Sequence, residues 1–444
     1  MKMKLWVKSL LMFFGLVMLL AGTVIVYAST IWNSTTSTLK TTYTQVGKTQ
    51  VAIKATKPLT LLLMGVDTGD ASRGGDTSWQ GNSDSMIVLT MNPTTKTSTM
   101  FSIERDTMTN ILDSDGNIMS SEKINSSYPY GYNANNIEGA ASWAMKTVGA
   151  QSGINLDNFI AINMNGLVNL INDVGGIDIV NDSQGSDILQ GTSAGDTITL
   201  PVTGENVASG AIYISDTEPA YTAYVPYIGE GKSQHINGDQ ALVFARDRHT
   251  LTNGDYGRIA HQREVIMALM KKLVDMKNVS QYQKFLNDIS GDIKTNIQVN
   301  TSNLQNLIGY KDCFKRIESI QYQGVGDMVN GASYQFTPSQ TLLAVQNAML
   351  RSIGQQTITE VDPNVITYDN YFGEEPASYF LPSVSITENG KTSVEGVNSD
   401  GTFVPITSAN SDTYVSTSGS AVSVSGSTGS SSSSSSDQTT SSGS

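Results

Sequence analysis

Cysteine is almost absent. The single residue, Cys313, excludes an internal disulfide. Histidine is nearly as scarce. His235, His249 and His261 are the only three, which argues against a His/Cys metal site and leaves any metal to oxygen ligands. Charged residues make up 15% of the chain, with a net balance of −13. That sign opposes nonspecific binding to nucleic acid. It suits a body that keeps clear of anionic lipid headgroups. Charge is missing altogether from residues 9–27, SLLMFFGLVMLLAGTVIVY.

That uncharged run sets the expected address. At ~1.5 Å per residue it is long enough to span ~30 Å of hydrocarbon. Lys2, Lys4 and Lys8 precede it and no lysine closely follows, which places the N-terminus in the cytoplasm. Val26-Tyr27-Ala28 loosely satisfies a signal-peptidase rule, but secretory apolar regions are usually shorter. We therefore expect a single-pass anchor in the cell membrane, with the body outside the cell, and a cleaved signal peptide as its alternative.

Beyond it, residues 31–58 read as a Thr-rich polar stalk. Residues 60–66, TLLLMGV, form a short continuous apolar run, the mark of a central strand. Two more strands are predicted over 86–91 and 97–103, joined by a turn at Asn92-Pro93-Thr94. Helical periodicity covers 136–148, with Ile137, Ala141, Ala144, Met145 and Val148 on one face. A strand at 159–162, a helix at 166–174 and a strand at 177–180 follow. Residues 181–232 are an irregular excursion. Asn237 and Gln240 approximate a capping box for a helix to about 245. Asp255 is a plausible cap for a long helix over 256–276. This alternation gives an α/β fold with a mixed central sheet flanked by helices. The domain scheme is anchor 1–30, stalk 31–58, main domain 59–328, appendage 329–382 and a Ser/Thr/Gly-rich low-complexity tail 383–444.

Four arginines, Arg246, Arg248, Arg258 and Arg263, crowd residues 237–264 of this acidic chain. His249 and His261 add to them when protonated. Guanidinium groups grip phosphate in a bidentate fork. Asp67, Asp84 and the Arg105-Asp106 pair stand at strand ends, where α/β sheets bind ligands. Asp67 and Asp84 are short carboxylates beside Gly- and Ser-rich loops, suited to a hard cation that keeps some waters. Arg258 and Gln262 share a helical face near an N-terminus. Arg263 falls off that face. Each piece has a plainer reading: an Asx turn, a surface ion pair or a solvated charge run. Together they describe a candidate site for a magnesium-bound polyphosphate.

The stretches LLLMGVDTG at 61–69, GNSDSMIV at 81–88 and SIERDT at 102–107 resemble the LytR–CpsA–Psr family of bacterial envelope proteins. KINSSYPYG at 123–131, NDVGGIDIV at 172–180 and the run from His235 to Ile266 continue the likeness in the family's order. It covers about residues 59–276. The resemblance implies an αβα sandwich. It implies a transferase that takes a glycopolymer, teichoic acid or capsule in type, from a polyprenyl-pyrophosphate carrier. The acceptor is a peptidoglycan hydroxyl, the new bond a phosphodiester and the released product polyprenyl phosphate. By matching motifs, metal carboxylates fall on Asp67 and Asp84, and phosphate-holding arginines on Arg105, Arg246, Arg248 and Arg258. Asp255 and Gln262 match polar positions nearby, and Lys123 lies in a matching motif.

Two positions depart from the family pattern. Asn82 stands where many relatives carry arginine, a contact that Arg73 in the same loop can replace. Glu104 stands where proline is common, and little consequence is expected. A lipid tail needs an apolar tunnel; the helix faces after Asn136, Asn165 and Tyr256 are candidates, or ordinary core. Tyr213, Tyr221, Tyr224 and Tyr227 either pack or stack on sugars. The same site with water as acceptor would make a lipid-pyrophosphate hydrolase. A non-enzymatic surface or regulatory protein is the third reading. The expected partners are the lipid-linked polymer, peptidoglycan and the cytoplasmic membrane, with no nucleic acid.

Overall fold

A computed structural model describes residues 43–46, 53–68, 79–181, 197–199, 206–208, 224–226, 228, 231–247, 251, 254–275, 291–297, 306, 309–388 and 391–415. The expected anchor and residues 416–444 lie outside these. Among the described residues no helix is long and apolar enough to cross a membrane.

The strands before the first helix are β1 (Leu59–Asp67), β2 (Asn82–Asn92), β3 (Thr97–Ile103), β4 (Met108–Leu112) and β5 (Ile118–Lys123). Helix α1 (Ser127–Ser152) leads to β6 (Asn158–Asn163), α2 (Met164–Asp173) and β7 (Ile177–Val180). After the short pair β8 (Thr197–Thr199) and β9 (Asn206–Ala208) come β10 (Ser233–Ile236), α3 (Gly238–Arg246) and α4 (Asp255–Asp275). The remainder is β11 (Ile293–Thr295), β12 (Arg316–Gln321), β13 (Val325–Val329), β14 (Ala332–Phe336), α5 (Ser339–Ser352), α6 (Tyr368–Phe372), β15 (Ser383–Glu388), β16 (Lys391–Val397) and β17 (Phe403–Pro405).

Among the described residues, nine strands make one mixed sheet in the order β11-β6-β1-β2-β3-β12-β15-β16-β17. β1 lies at its heart, antiparallel to β2 and parallel to β6. Its side chains alternate between two cores. Leu59 and Leu61 pack with Leu170, Phe244, Val265 and Leu269 of α2, α3 and α4. Leu62, Met64 and Val66 pack with Ala141, Ala144 and Val148 of α1 and with Val345 and Met349 of α5. Burial on both faces explains why the strand is apolar throughout. The result is the expected helix–sheet–helix sandwich.

The predicted helix at 136–148 is the second part of a longer element. α1 breaks at Asn135 and Asn136, where Asn136 has φ 48°, a left-handed value that asparagine tolerates better than most residues. The capping box of α3 is present in both arms: the Gln240 N–H donates to Asn237 Oδ1 at 2.9 Å, and the Asn237 N–H to Gln240 Oε1 at 3.0 Å. Asp255 is the first residue of α4 rather than its cap. The Gly254 carbonyl accepts from the Arg258 N–H at 3.1 Å, so Gly254 holds the capping place.

Three boundaries change. The Val-Ser-Ile-Thr alternation after residue 383 is strand sequence, not low-complexity tail: β15 pairs with β12, and Val384 and Ile386 are buried. A Ser/Thr-rich composition hid a period-two pattern. α5 packs on the central sheet, so residues 339–352 belong to the main domain rather than to an appendage. The stalk also joins the body. Ile53 lies in the core, and the Thr44 N–H donates to the Thr295 carbonyl at 2.8 Å.

Glu104 is more than a spacer. It is 2% exposed and accepts a hydrogen bond from the Tyr256 hydroxyl at the start of α4. Burial first, and this carboxylate second, raise the Tyr256 phenol well above its ordinary 10. The same hydroxyl accepts from the Gly324 N–H at 2.7 Å. The end of β3 is thus tied to the helix that carries Arg258 and Gln262. Tyr256→Phe removes a donor from a buried carboxylate and is expected to cost about 1–3 kcal/mol, read from the denaturant midpoint. Gly238→Ala is expected to cost a similar ~1–3 kcal/mol by overpacking, because the new Cβ would clash with the Val168 carbonyl oxygen of α2. An unchanged midpoint would show that α2 and α3 yield at that contact.

Candidate active site

The site begins with an irregularity in the β1–β2 ladder. Gly65 faces Ser85, but the next residue, Val66, faces Ser83. Asp84 is the extra residue of this bulge, which takes its side chain out of the strand alternation. Asp67 closes β1 one residue beyond Val66. Both carboxylates are partly exposed, at 17% for Asp67 and 26% for Asp84.

Guanidinium groups meet them from two directions. Arg105, just past β3, places Nη1 3.2 Å from Asp84 Oδ2 and Nε 3.7 Å from Asp106 Oδ2. Lys123, at the end of β5, sets Nζ 2.9 Å from Asp106 Oδ1. Arg246, the last residue of α3, has Nη1 3.6 Å from Asp67 Oδ2. The same nitrogen donates to Met164 Sδ at 2.9 Å. Five segments distant in sequence therefore supply two charged groups, Asp84–Arg105–Asp106–Lys123 and Asp67–Arg246.

These groups adjoin an apolar groove enclosing about 1040 Å³ out to its open mouth. Its polar lining comes from Asp84, Ser85, Asn163, Arg246 and Gln262. The apolar wall continues back along the strands through Leu63, Ile87 and Ile160, which are ladder neighbours. Leu167 and Leu170 of α2, Leu242 of α3, and Val265, Ile266 and Leu269 of α4 complete it. Two of the three helices expected at such a tunnel are there. The third, α1, is not: it covers the opposite face of the sheet.

Arg258 is buried at 7% one turn into α4. Gln262, one turn further on, lines the groove and donates from Nε2 to the Ala245 carbonyl at 3.3 Å. Asn82 faces Asp67 across the ladder and is exposed, and it takes no part in the groove lining. His261 is not among the residues that line the groove. Its ring is 3% exposed and stacks on Phe244 at 3.7 Å, which locks α3 to α4. Arg263 lines no part of the groove, and burial lowers its guanidinium to about 10. Arg73, Arg248 and the side chain of Asp255 lie outside the described residues.

Asn125 and Met164 escaped the sequence reading. Asn125 Nδ2 donates to Asp84 Oδ1 at 3.3 Å. It stands two residues after Lys123 in the same motif, which was its available signal. Met164 gave none, since a thioether beside a guanidinium follows only from how α2 packs. Asp67 and Asp84 offer carboxylate oxygens, which suit a hard divalent ion shared with a phosphate. Among the described residues no group of three or more His, Cys, Asp or Glu forms a self-sufficient metal cage.

Comparison with known proteins agrees with this architecture. The family model described as the LytR_cpsA_psr family matches residues 25–351. Biofilm regulatory protein A of Streptococcus mutans is 35% identical over 360 residues, which is 80% of this chain and 79% of that protein. The polyisoprenyl-teichoic acid–peptidoglycan teichoic acid transferase TagU of Enterococcus faecalis is 30% identical, covering 76% of this chain and 94% of its own length. Among solved structures, protein gbs0355 from Streptococcus agalactiae superposes with a TM-score of 0.57 at 36% identity, over 72% of this chain and 95% of that one. A chain whose bulged β1–β2 ladder and α3–α4 arginines fall within such a match belongs to the LytR–CpsA–Psr family.

Proposed function

We propose that the protein transfers a glycopolymer from a polyprenyl-pyrophosphate carrier to a hydroxyl of peptidoglycan. The observation that carries this reading is the groove. It is apolar along the strands and ends in Asp84, Arg246 and Gln262, with Asp67 and Arg105 paired to them. Such a shape takes a ligand with a long hydrocarbon tail and an anionic head. The name of the Enterococcus faecalis relative gives the polymer class as teichoic acid. An anchor at residues 9–27 would keep the groove at the outer face of the cytoplasmic membrane, within reach of a lipid carrier.

In this reading the isoprenoid lies against Leu63, Ile87, Ile160, Leu167 and Leu269. Arg105 and Arg246 grip the non-bridging phosphate oxygens, with Arg258 and Arg248 completing the clamp. Their carboxylate partners hold the guanidinium groups in place before substrate arrives, so little reorganisation is left for the transition state. Asp67 and Asp84 would hold a magnesium ion, which when bound would supply neutralisation and polarisation of the pyrophosphate. The acceptor oxygen attacks the sugar-side phosphorus. The bridging P–O bond breaks, and its electron pair leaves with polyprenyl phosphate. The hydroxyl proton passes to water or to one of Asp67, Asp84 and Asp106. Positioning and charge stabilisation are the protein's contribution.

Arg105→Ala tests the clamp. Transfer of labelled polymer from lipid pyrophosphate to peptidoglycan by the full-length protein should fall by ~10²–10³. The unfolding midpoint should move by no more than about 1 kcal/mol, because Arg105 and its partners are partly solvated. A retained rate would remove Arg105 from the machinery. Label released as free polymer, and never joined to the wall, would assign hydrolysis instead.

A further inference from the structure

The hairpin of β13 and β14 lies directly beside the charged network. The Gln335 N–H donates to the Asp106 carbonyl at 3.0 Å. Lys123, which pairs with Asp106, stands 5.4 Å from the centroid of the Tyr334 ring. The Tyr334 hydroxyl donates to Glu122 Oε1 at 2.8 Å. A continuous line of contacts thus leads from Arg105 through Asp106 and Lys123 to Tyr334.

Beyond Tyr334 the surface becomes aromatic. Phe336 is fully buried, and its ring centroid lies 4.8 Å from Tyr371 and 4.9 Å from Phe372. Tyr371 and Phe372 meet at 5.0 Å and 73°. Both are open to solvent, at 40% and 37%. Tyr130 of α1, 40% exposed, and Tyr371 both lie within electrostatic reach of the Tyr334 phenol. Among the described residues these three are the exposed aromatic side chains, and all three gather here. Isolated exposed rings need no explanation, whereas a cluster beside a charged site points to a ligand.

The cluster is held rigidly. Thr367 and Asn370 form a reciprocal capping box on α6. The Ser339 N–H donates to Asp369 Oδ2 at 2.7 Å, and the Tyr368 N–H to the Thr337 carbonyl at 3.0 Å. The rings are spaced without help from a ligand. Their rim is acidic, with Glu374 and Glu375 exposed next to Phe372.

We infer that Tyr130, Tyr371 and Phe372 form a seat for the acceptor glycan, as an uncharged strand of acetamido sugars. The inference rests on reading the neighbouring site as a transferase. The C–H face of a pyranose is apolar and weakly positive, and it lies well on the negative face of an aromatic ring. Rim carboxylates accept from sugar hydroxyls and amides. The same carboxylates repel a phosphate-bearing polymer, so the seat suits the acceptor rather than an anionic donor.

The probe is a chito-oligosaccharide, with poly(glycerol phosphate) as the charged control, titrated calorimetrically into full-length protein. The oligosaccharide should bind and the control should not. Tyr371→Ala with Phe372→Ala should weaken binding about tenfold or more, while Tyr371→Phe, which keeps the ring, should retain it. Tyr130→Ala, on a different helix, should repeat the loss even if α6 is disturbed by its own substitutions. No binding by folded wild type, equal binding by the double and Tyr130 variants, or a preference for the phosphate polymer would each overturn the seat. Unchanged transfer to peptidoglycan by these variants would likewise overturn it and leave the transferase reading intact. Ring-dependent binding in a protein that transfers nothing would keep the seat and remove the transferase reading.

Discussion

The molecule depends on one slip of register. Between Gly65 and Val66 the β1–β2 ladder takes in an extra residue, and that residue is Asp84. With the strands in perfect register, side-chain alternation would commit every position to one of two apolar cores. The bulge frees a carboxylate from both cores beside Asp67 at the end of β1. Two guanidinium groups are arranged against these carboxylates: Arg105 reaches Asp84, and Arg246 reaches Asp67.

The rest of the fold holds the arginines in place, Arg105 and Arg246 partly exposed and Arg258 buried. Arg246 ends a helix whose start is closed by a capping box and pressed onto α2 at Gly238. Arg258 rides on α4, which is tied to β3 through Tyr256 and Glu104 and to α3 through the His261–Phe244 stack. Carboxylate partners keep the cationic groups compatible with a partly desolvated setting. The apolar groove then needs no special construction. It is the space left between the strand ends and α2, α3 and α4, lined by side chains that elsewhere in the sheet make core.

Local sequence carried much of this. The apolar run of β1, the capping signals of Asn237 and Gln240, and the period of α4 each have a short-range cause. The conjunction of Asp67, Asp84, Arg105 and Arg246 has no such local cause and was legible only through the order of the family's motifs. The boundary at residue 383 went the other way. Serine and threonine are abundant both in β15 and in the stretch beyond residue 415, and composition alone does not reveal the alternation that marks β15 as a strand. Glu104 was misjudged for a related reason: its importance lies in Tyr256, a residue of another element, and no local pattern joins the two.

The sequence by itself determined the elements, their amphipathic faces, and which charged residues stand at strand ends and helix starts. These follow from periodicity and capping, which act over a few residues. Tertiary structure alone decided which helices face the groove, leaving α1 on the far side of the sheet. It alone turned Asp84 out of the ladder and set Lys123 between Asp106 and Tyr334. It also gathered Tyr130, Tyr371 and Phe372 beside the site, though the chain separates Tyr130 from the other two. Those outcomes are contacts between distant segments, fixed by strand register and by packing two cores against one sheet.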